Sequence, residues 1–137
     1  MRTWPSRFTE EEAKEYERQP SKIAGKVYLR ESLGNLSEQD AKDFIGRGFL
    51  QLTGKANYRS FSSDMGLPDV MTNPDLAATD YAFETALWFF KKNKLFSIAD
   101  EGVTDSVIKL ITKRVNGGYH GLDDRIEQTK KIHDWLA

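Results

Sequence analysis

Residues 46–58 read GRGFLQLTGKANY, and this stretch decides how the rest of the chain is interpreted. Apolar residues alternate with side chains that hydrogen-bond sugars well, namely Gln51, Thr53 and Asn57. Glycines at both ends permit backbone angles that other residues resist, and they let a ligand approach the main chain. The pattern predicts a short extended segment and turn near residues 47–53, followed by a helix. An ordinary glycine-bounded hairpin is the alternative interpretation.

The flanking sequence is typical of helices. Residues 56–65 have a helical pattern that ends at Gly66, a natural residue to follow a helix. The stretch 80–92 is apolar on nearly every face, which predicts a buried helix. Apolar residues also recur at helical spacing from Thr104 onward and again from Leu122. We therefore predict a mainly α fold, forming a single domain over residues 1–137.

Composition excludes several classes of function. The net charge of −1 over 137 residues removes the simple electrostatic case for nucleic acid or an anionic membrane as partner. The chain has no cysteine, which excludes disulfides and thiolate nucleophiles, and its two histidines, His120 and His133, share no metal-binding spacing. No metal or cofactor is expected. Residues 1–8 lack the apolar core of a secretory signal, so we expect synthesis in the cytoplasm.

A second glycine-bounded polar loop covers residues 116–121 and is followed by Asp123, Asp124 and Arg125. Asn116 closes a predicted helix, where its amide can face a ligand, although a plain helix-ending turn explains Asn-Gly equally well. Arg125 is either a partner of the neighbouring carboxylates or a clamp on a substrate. The two polar loops are the candidate binding segments.

The motifs, taken together and in order, resemble those of glycoside hydrolase family 19, which contains plant and bacterial chitinases and phage endolysins. The resemblance rests on GRGxxQLTGxxNY at residues 46–58, ALWFF at 86–90, VNGG at 115–118 and the Asp124-Arg125 pair. Residues 4–8 (WPSRF) and the Ile23-Ala24, Val27-Tyr28 pattern resemble the endolysin branch most.

The resemblance implies a lysozyme-like α-helical fold and an endo-acting hydrolysis of β-1,4 bonds beside N-acetylated sugars, in chitin or peptidoglycan. It implies inversion by two carboxylates, one protonating the leaving oxygen and the other activating water. Thr53 would help hold that water, Gln51 would line the cleft, and Asn57 and Asn116 would bind N-acetyl and hydroxyl groups. Arg125 would belong to the charge network around the acid. The partner would be a polysaccharide, with action at the bacterial cell wall after release.

One departure from the family concerns catalysis. In the family, the general acid lies in a His-Glu or similar helix motif, and both catalytic glutamates precede the segment that resembles residues 4–8. We therefore expect their counterparts to lie upstream of Met1, and no catalytic residue is assigned in this chain. Glu31 and Glu38, with Asp40 beside them, are weak substitutes for a lost carboxylate.

Three hypotheses follow from this departure. The chain is an inactive remnant of a hydrolase, a module that binds glycans or a partner protein, or an active enzyme with relocated carboxylates. A fold without its N-terminal helix would also uncover apolar surface, with Val27, Leu87 and Phe90 as candidate members. Self-association, or a partner that covers this surface, is the corresponding expectation.

Overall fold

The computed structural model describes residues 8–137, so the WPSRF segment falls outside the described residues except for Phe8. Within residues 8–137 the chain forms eight α-helices and three short 3-10 turns, and no strand. The predicted mainly α, lysozyme-like fold class is confirmed. The helices are α1 (Glu10–Glu15), α2 (Pro20–Val27), α3 (Glu38–Asp43), α4 (Lys55–Met65), α5 (Ala82–Lys92), α6 (Leu95–Ala99), α7 (Asp105–Asn116) and α8 (Leu122–Leu136).

The chain divides into two compact units, one ending at Thr85 and the other running from Ala86 to Ala137. Helix α5 begins in the first unit and continues into the second. A single domain over the whole chain stays a prediction. None of the helices among residues 8–137 combines the length and apolar character needed to cross a membrane.

Local capping explains where several helices begin and end. The Thr9 hydroxyl accepts from the Glu12 amide while the Glu12 carboxylate accepts from the Thr9 amide, a complete capping box at the start of α1. Ser37 accepts from the Asp40 amide at 3.0 Å and so opens α3. Helix α4 ends before Gly66, whose φ of 67° is left-handed, as the sequence predicts.

The core of the first unit gathers around α4. Helix α2 packs against α3, and α4 packs against the 3-10 turns at Glu31–Leu33 and Pro68–Met71. The Tyr58 and Phe44 rings meet edge to face, with 5.1 Å between their centroids. The buried apolar residues of this unit are Val27, Ala41, Phe44, Leu52, Tyr58, Phe61, Val70 and Ala77. The candidate segment 46–58 therefore contributes two of its residues directly to the core.

The second unit is built from α6, α7 and α8, with α7 packed against both of the others. Leu95, Val107 and Ile108 are its buried apolar residues from these helices, and Thr112 is buried beside them. The Thr112 hydroxyl donates to the Ile108 carbonyl at 2.7 Å, so its burial leaves no polar atom unsatisfied.

Two expectations about apolar residues are corrected by the structure. Helix α5 buries Trp88, but Phe83 and Leu87 are 59% and 38% exposed, so the expectation that this helix is buried on several faces is wrong at those positions. Val27 is 2% exposed and cannot belong to an uncovered apolar patch. Self-association stays a prediction.

Candidate functional site

The stretch 46–58 forms a tight turn that leads directly into α4. Leu52 donates its amide to the Arg47 carbonyl at 2.7 Å, and the Arg47 amide donates back at 3.2 Å, which makes an isolated antiparallel bridge. Gly48 and Gln51 have φ angles of 80° and 55°, which place both in the left-handed region. The predicted extended segment is therefore reduced to a single bridge pair closed by a short loop, in the form of a minimal hairpin.

Three polar side chains predicted to bind a sugar are fixed to the main chain of this turn. The Thr53 hydroxyl donates to the Gln51 carbonyl at 2.8 Å, and Asn57 Nδ2 donates to the Thr53 carbonyl at 2.7 Å. Gln51 Nε2 donates to the Gly48 carbonyl at 3.3 Å. Gln51 and Asn57 are exposed and Thr53 is half-buried, so all three are held in place yet remain accessible.

Gly46 shows that Gln51 and Thr53 lie side by side. A Cβ atom at Gly46 would meet Gln51 Oε1 at 2.6 Å and Thr53 Oγ1 at 3.0 Å. Both oxygens therefore lie over the same face of the turn, above a residue that has no side chain. A larger residue at this position would displace the two oxygens.

Arg47 anchors the turn to the rest of the first unit. Its guanidinium donates from Nη1 to the Asp43 carbonyl at 2.7 Å and to the Tyr58 hydroxyl at 3.1 Å. Nη2 and Nε lie 2.9 and 3.1 Å from Asp75 Oδ1. The Arg47 side chain is 14% exposed, and Tyr58 in turn donates to the Ile45 carbonyl at 2.9 Å. Burial raises the pKa of the Tyr58 hydroxyl, which keeps it in its protonated, donating form.

Asn35 fixes the start of α4 from a distant part of the chain. Gly54, the residue before α4, has no side chain that could cap the helix. Asn35 Oδ1 instead accepts from the Lys55 amide at 2.9 Å, and its Nδ2 donates to the Tyr28 carbonyl at 2.8 Å. Asn35 is 1% exposed. Sequence reasoning missed this residue, because the bond joins positions 20 residues apart and has no local signature.

The three weak substitutes for a catalytic carboxylate have different surroundings. Asp40 Oδ1 accepts from Lys55 Nζ at 2.7 Å and Oδ2 from the Leu36 amide at 3.1 Å. The Lys55 bond, helped by the Leu36 amide, lowers the pKa of Asp40 below its ordinary value of 3.8. Glu38 lies 3.7 Å from Lys42 Nζ on the surface of α3, and Glu31 is exposed where a 3-10 turn begins.

At Gly48 the turn packs closely against Ala77, which precedes α5, and against Thr85 within α5. The φ of Gly48 is 80°, and a Cβ atom there would lie 2.9 Å from the Ala77 carbonyl and in contact with Thr85 Oγ1. The next residue, Phe49, is 70% exposed, and its ring meets that of Phe83 edge to face, with 6.4 Å between centroids. Phe49 of the turn and Phe83 of α5 therefore form an exposed aromatic pair.

The other predicted binding residues belong to the second unit. Asn116 is the last residue of α7 and is exposed, and Gly117 follows it with a φ of 71° and its amide bonded to the Lys113 carbonyl. The helix-ending turn expected as the alternative is thus present. Arg125 is half-buried in the first turns of α8. No group of His, Cys, Asp or Glu among residues 8–137 is arranged to hold a metal ion.

A family model and several known proteins are similar in sequence to this chain. Residues 12–108 match the glycoside hydrolase family 19 model, described as Chitinase class I. A "Glycosyl hydrolase family 19 domain-containing protein" of Haemophilus influenzae is 35% identical over 115 residues, which are 82% of this chain and 53% of that protein. The "Acidic 27 kDa endochitinase" of Solanum lycopersicum is 44% identical over 68 residues, 48% of this chain and 25% of that protein. "Chitinase 8" of Oryza sativa is 40% identical over 57 residues, 40% of this chain and 22% of that protein. The chain spans about half the length of the Haemophilus protein and about a quarter or less of these two plant chitinases.

Proposed function

Because the chain belongs to glycoside hydrolase family 19, we propose that it is an endo-acting β-1,4-glycosidase of N-acetylglucosamine-containing polymers, either chitin or peptidoglycan. The observation that carries the proposal is the row of Gln51, Thr53 and Asn57 side chains, which are hydrogen-bonded to the main chain at the tight turn and the start of α4. Such a row suits a ligand that offers many hydroxyl and amide groups, as these polymers do. If peptidoglycan is the polymer, the site of action is the bacterial cell wall.

The hydrogen bonds that these side chains already make determine which of their polar atoms remain available to a ligand. Asn57 and Gln51 each use one amide N–H on the main chain, which leaves a second N–H and the side-chain carbonyl of each to read a sugar. Because these side chains are already ordered, a ligand pays little further conformational entropy to use them. We assign the recognition of N-acetyl and hydroxyl groups to Asn57, Gln51 and, in the second unit, Asn116.

The proposed reaction inverts the configuration at the anomeric carbon with the help of two carboxylates. Thr53 has a defined part in it, because its hydroxyl proton is committed to the Gln51 carbonyl at 2.8 Å. The Thr53 oxygen is then an acceptor, and a water that donates one proton to it is held with a lone pair free for attack. The other proton of that water would go to the general base, while Arg125 would support the charge of the acid.

The second candidate function is glycan binding without hydrolysis. It is favoured by the surroundings of the three carboxylates considered as substitutes for a catalytic group. Asp40 is held ionised by Lys55 and the Leu36 amide, which is unsuited to a general acid. Glu38 is paired with Lys42 on the surface, and Glu31 is exposed, so neither has the enclosed, apolar setting of a catalytic acid.

Binding can be tested with the full chain and a tetramer of N-acetylglucosamine by titration calorimetry. We expect Asn57→Ala and Asn116→Ala each to weaken binding by roughly tenfold, since each removes a hydrogen bond to the ligand. Asn93→Ala is the matched control, because Asn93, which directly follows α5, donates from Nδ2 to a carbonyl four residues back, at 2.9 Å. Loss of binding in the control as well would contradict the assignment.

Hydrolysis is tested separately by the clearing of purified peptidoglycan and by product analysis with chitin oligomers. Hydrolysis that survives in Glu31→Gln and Glu38→Gln would exclude both of these carboxylates as catalytic groups. Its loss in one of them would identify a relocated carboxylate. Binding with no hydrolysis of either polymer would favour the second candidate function, and the absence of both would contradict the proposal altogether.

A further inference from the structure

Two phenylalanines at the turn are exposed to solvent although they contact each other. Phe49 is 70% exposed and Phe83 is 59% exposed. Their rings meet at an interplanar angle of 74° with centroids 6.4 Å apart, which is a favourable edge-to-face arrangement. Isolated exposed apolar residues need no explanation, whereas these two large aromatic rings together form one exposed apolar surface that is available to a ligand.

The position of this aromatic pair is fixed by the backbone beneath it. Gly48 lies so close to the Ala77 carbonyl and to Thr85 Oγ1 that a methyl group would not fit. The Gln51 amide donates to the Gly48 carbonyl at 3.2 Å, which closes the loop that carries Phe49. Phe83 lies in the first turn of α5, so both rings stand on ordered backbone. A surface of this kind is preorganised, which reduces the entropic cost of binding.

Phe49 lies close to the polar row along the chain. Phe49 and Gln51 are two residues apart, so their Cα atoms are separated by at most about 7 Å. A pyranose ring in a β-linked polymer has equatorial polar groups around its rim and apolar C–H faces above and below. Sites for such ligands combine aromatic walls with a few polar groups that fix orientation. Phe49 and Phe83 are the aromatic residues of such a site, and Gln51 is one of its polar groups.

We propose that Phe49 and Phe83 form an aromatic platform on which one sugar ring of the bound glycan packs through its C–H face. This proposal rests on the function proposed above and extends its site to two residues outside the polar row. The platform recognises the ring rather than its substituents, so it serves chitin and peptidoglycan alike. Discrimination between the two polymers is left to the polar groups.

The test measures the affinity of the full chain for a tetramer of N-acetylglucosamine, together with thermal unfolding of each variant. We expect Phe49→Ala and Phe83→Ala each to weaken binding by about tenfold, and Phe49→Tyr, which keeps the ring, to stay within about twofold of the parent. Trp135→Ala is the control, because Trp135 is 74% exposed on α8 in the other unit, and its affinity should not change. Phe49→Leu keeps apolar volume without a ring, and its affinity replaces that of Phe49→Ala in the test if Phe49→Ala does not fold.

The outcomes separate this proposal from the proposed function. If Asn57→Ala weakens binding while the folded Phe49 and Phe83 variants bind like the parent, the platform is refuted and the proposed function stands. If the parent chain binds no oligomer, both are refuted. If Phe49→Ala changes the mass seen by light scattering but not the affinity, the aromatic pair is a protein contact and the platform is likewise refuted.

Discussion

Replacing Arg47 with methionine should destabilise the first unit strongly, even though Arg47 belongs to a short surface turn. The guanidinium is 14% exposed and donates to the Asp43 carbonyl at 2.7 Å and the Tyr58 hydroxyl at 3.1 Å. Methionine keeps most of the aliphatic stem, so the change removes the hydrogen bonds rather than the packing. It leaves the two acceptors without their charged donor in a partly buried setting.

The magnitude follows from these contacts. A hydrogen bond from a charged group contributes about 1.5 to 3 kcal/mol, and neighbouring bonds are not additive, so the two buried contacts together should be worth about 3 kcal/mol. The ion pair with Asp75 adds little, because Asp75 is 78% exposed and such pairs contribute about 0 to 1 kcal/mol. With a slope of about 2 kcal/mol per molar urea, the unfolding midpoint should fall by about 1.5 M.

The assay is urea unfolding followed by circular dichroism and by tryptophan fluorescence. The matched control is Asp75→Asn, which removes the exposed partner only and should lower the free energy of unfolding by less than about 1 kcal/mol. Arg47→Lys is informative as well, because a single ammonium cannot reach partners on two sides of the turn. Equal effects of Arg47→Met and Asp75→Asn would refute the reasoning, since they would place the stabilisation in the exposed ion pair.

Three further predictions concern the support of the turn. Asn35→Ala should cost about 3 kcal/mol of unfolding free energy in urea, because it leaves two part-buried main-chain groups without their side-chain partner. Asp40→Asn should cost about 1 kcal/mol at neutral pH. That difference should shrink in a pH series of urea melts as the pH falls below 3.8, because the lowered pKa of Asp40 makes its stabilisation present above that value and lost as the folded form is protonated. Gly48→Ala should cost about 3 kcal/mol in thermal or urea unfolding, while Gly117→Ala, with a similar φ and open space around it, should cost about 1 kcal/mol.

Each of these predictions can be contradicted by a specific result. A neutral Asn35→Ala variant would mean that water replaces both of its hydrogen bonds. A constant difference between Asp40→Asn and the parent down to pH 2 would exclude the ion pair with Lys55 as the source of the stabilisation. Equal costs at Gly48 and Gly117 would show that backbone conformation matters at both positions and that the contact with the Ala77 carbonyl does not.

Local signals in the sequence were sufficient for much of the fold. The helix end at Gly66 depends on residues within four positions, so the pattern and the structure agree there. The family was also identified from short motifs, because their order along the chain is specific even where each motif is common.

Long-range contacts account for what the sequence did not predict. Arg47 meets Asp75 across 28 residues, and Asn35 meets the Lys55 amide across 20, so neither bond leaves a periodic signal. The exposure of Phe83 was missed because an apolar pattern reports affinity for apolar surroundings and does not distinguish a core from an exposed partner ring at Phe49. The roles of Gln51, Thr53, Asn57, Asn116 and Arg125 remain predictions for the binding experiments.

The remote cap at Asn35 has a consequence for the order of folding. Helix α4 is preceded by a glycine, and the Lys55 amide at its start is hydrogen-bonded within the protein only when the segment from Tyr28 to Asn35 is in place. The loop between positions 35 and 55 must therefore close before the first turn of α4 is stable, and closure of a loop of that length slows folding. Asn35→Ala should accordingly reduce the refolding rate and leave the unfolding rate nearly unchanged, the signature of a contact that is formed early.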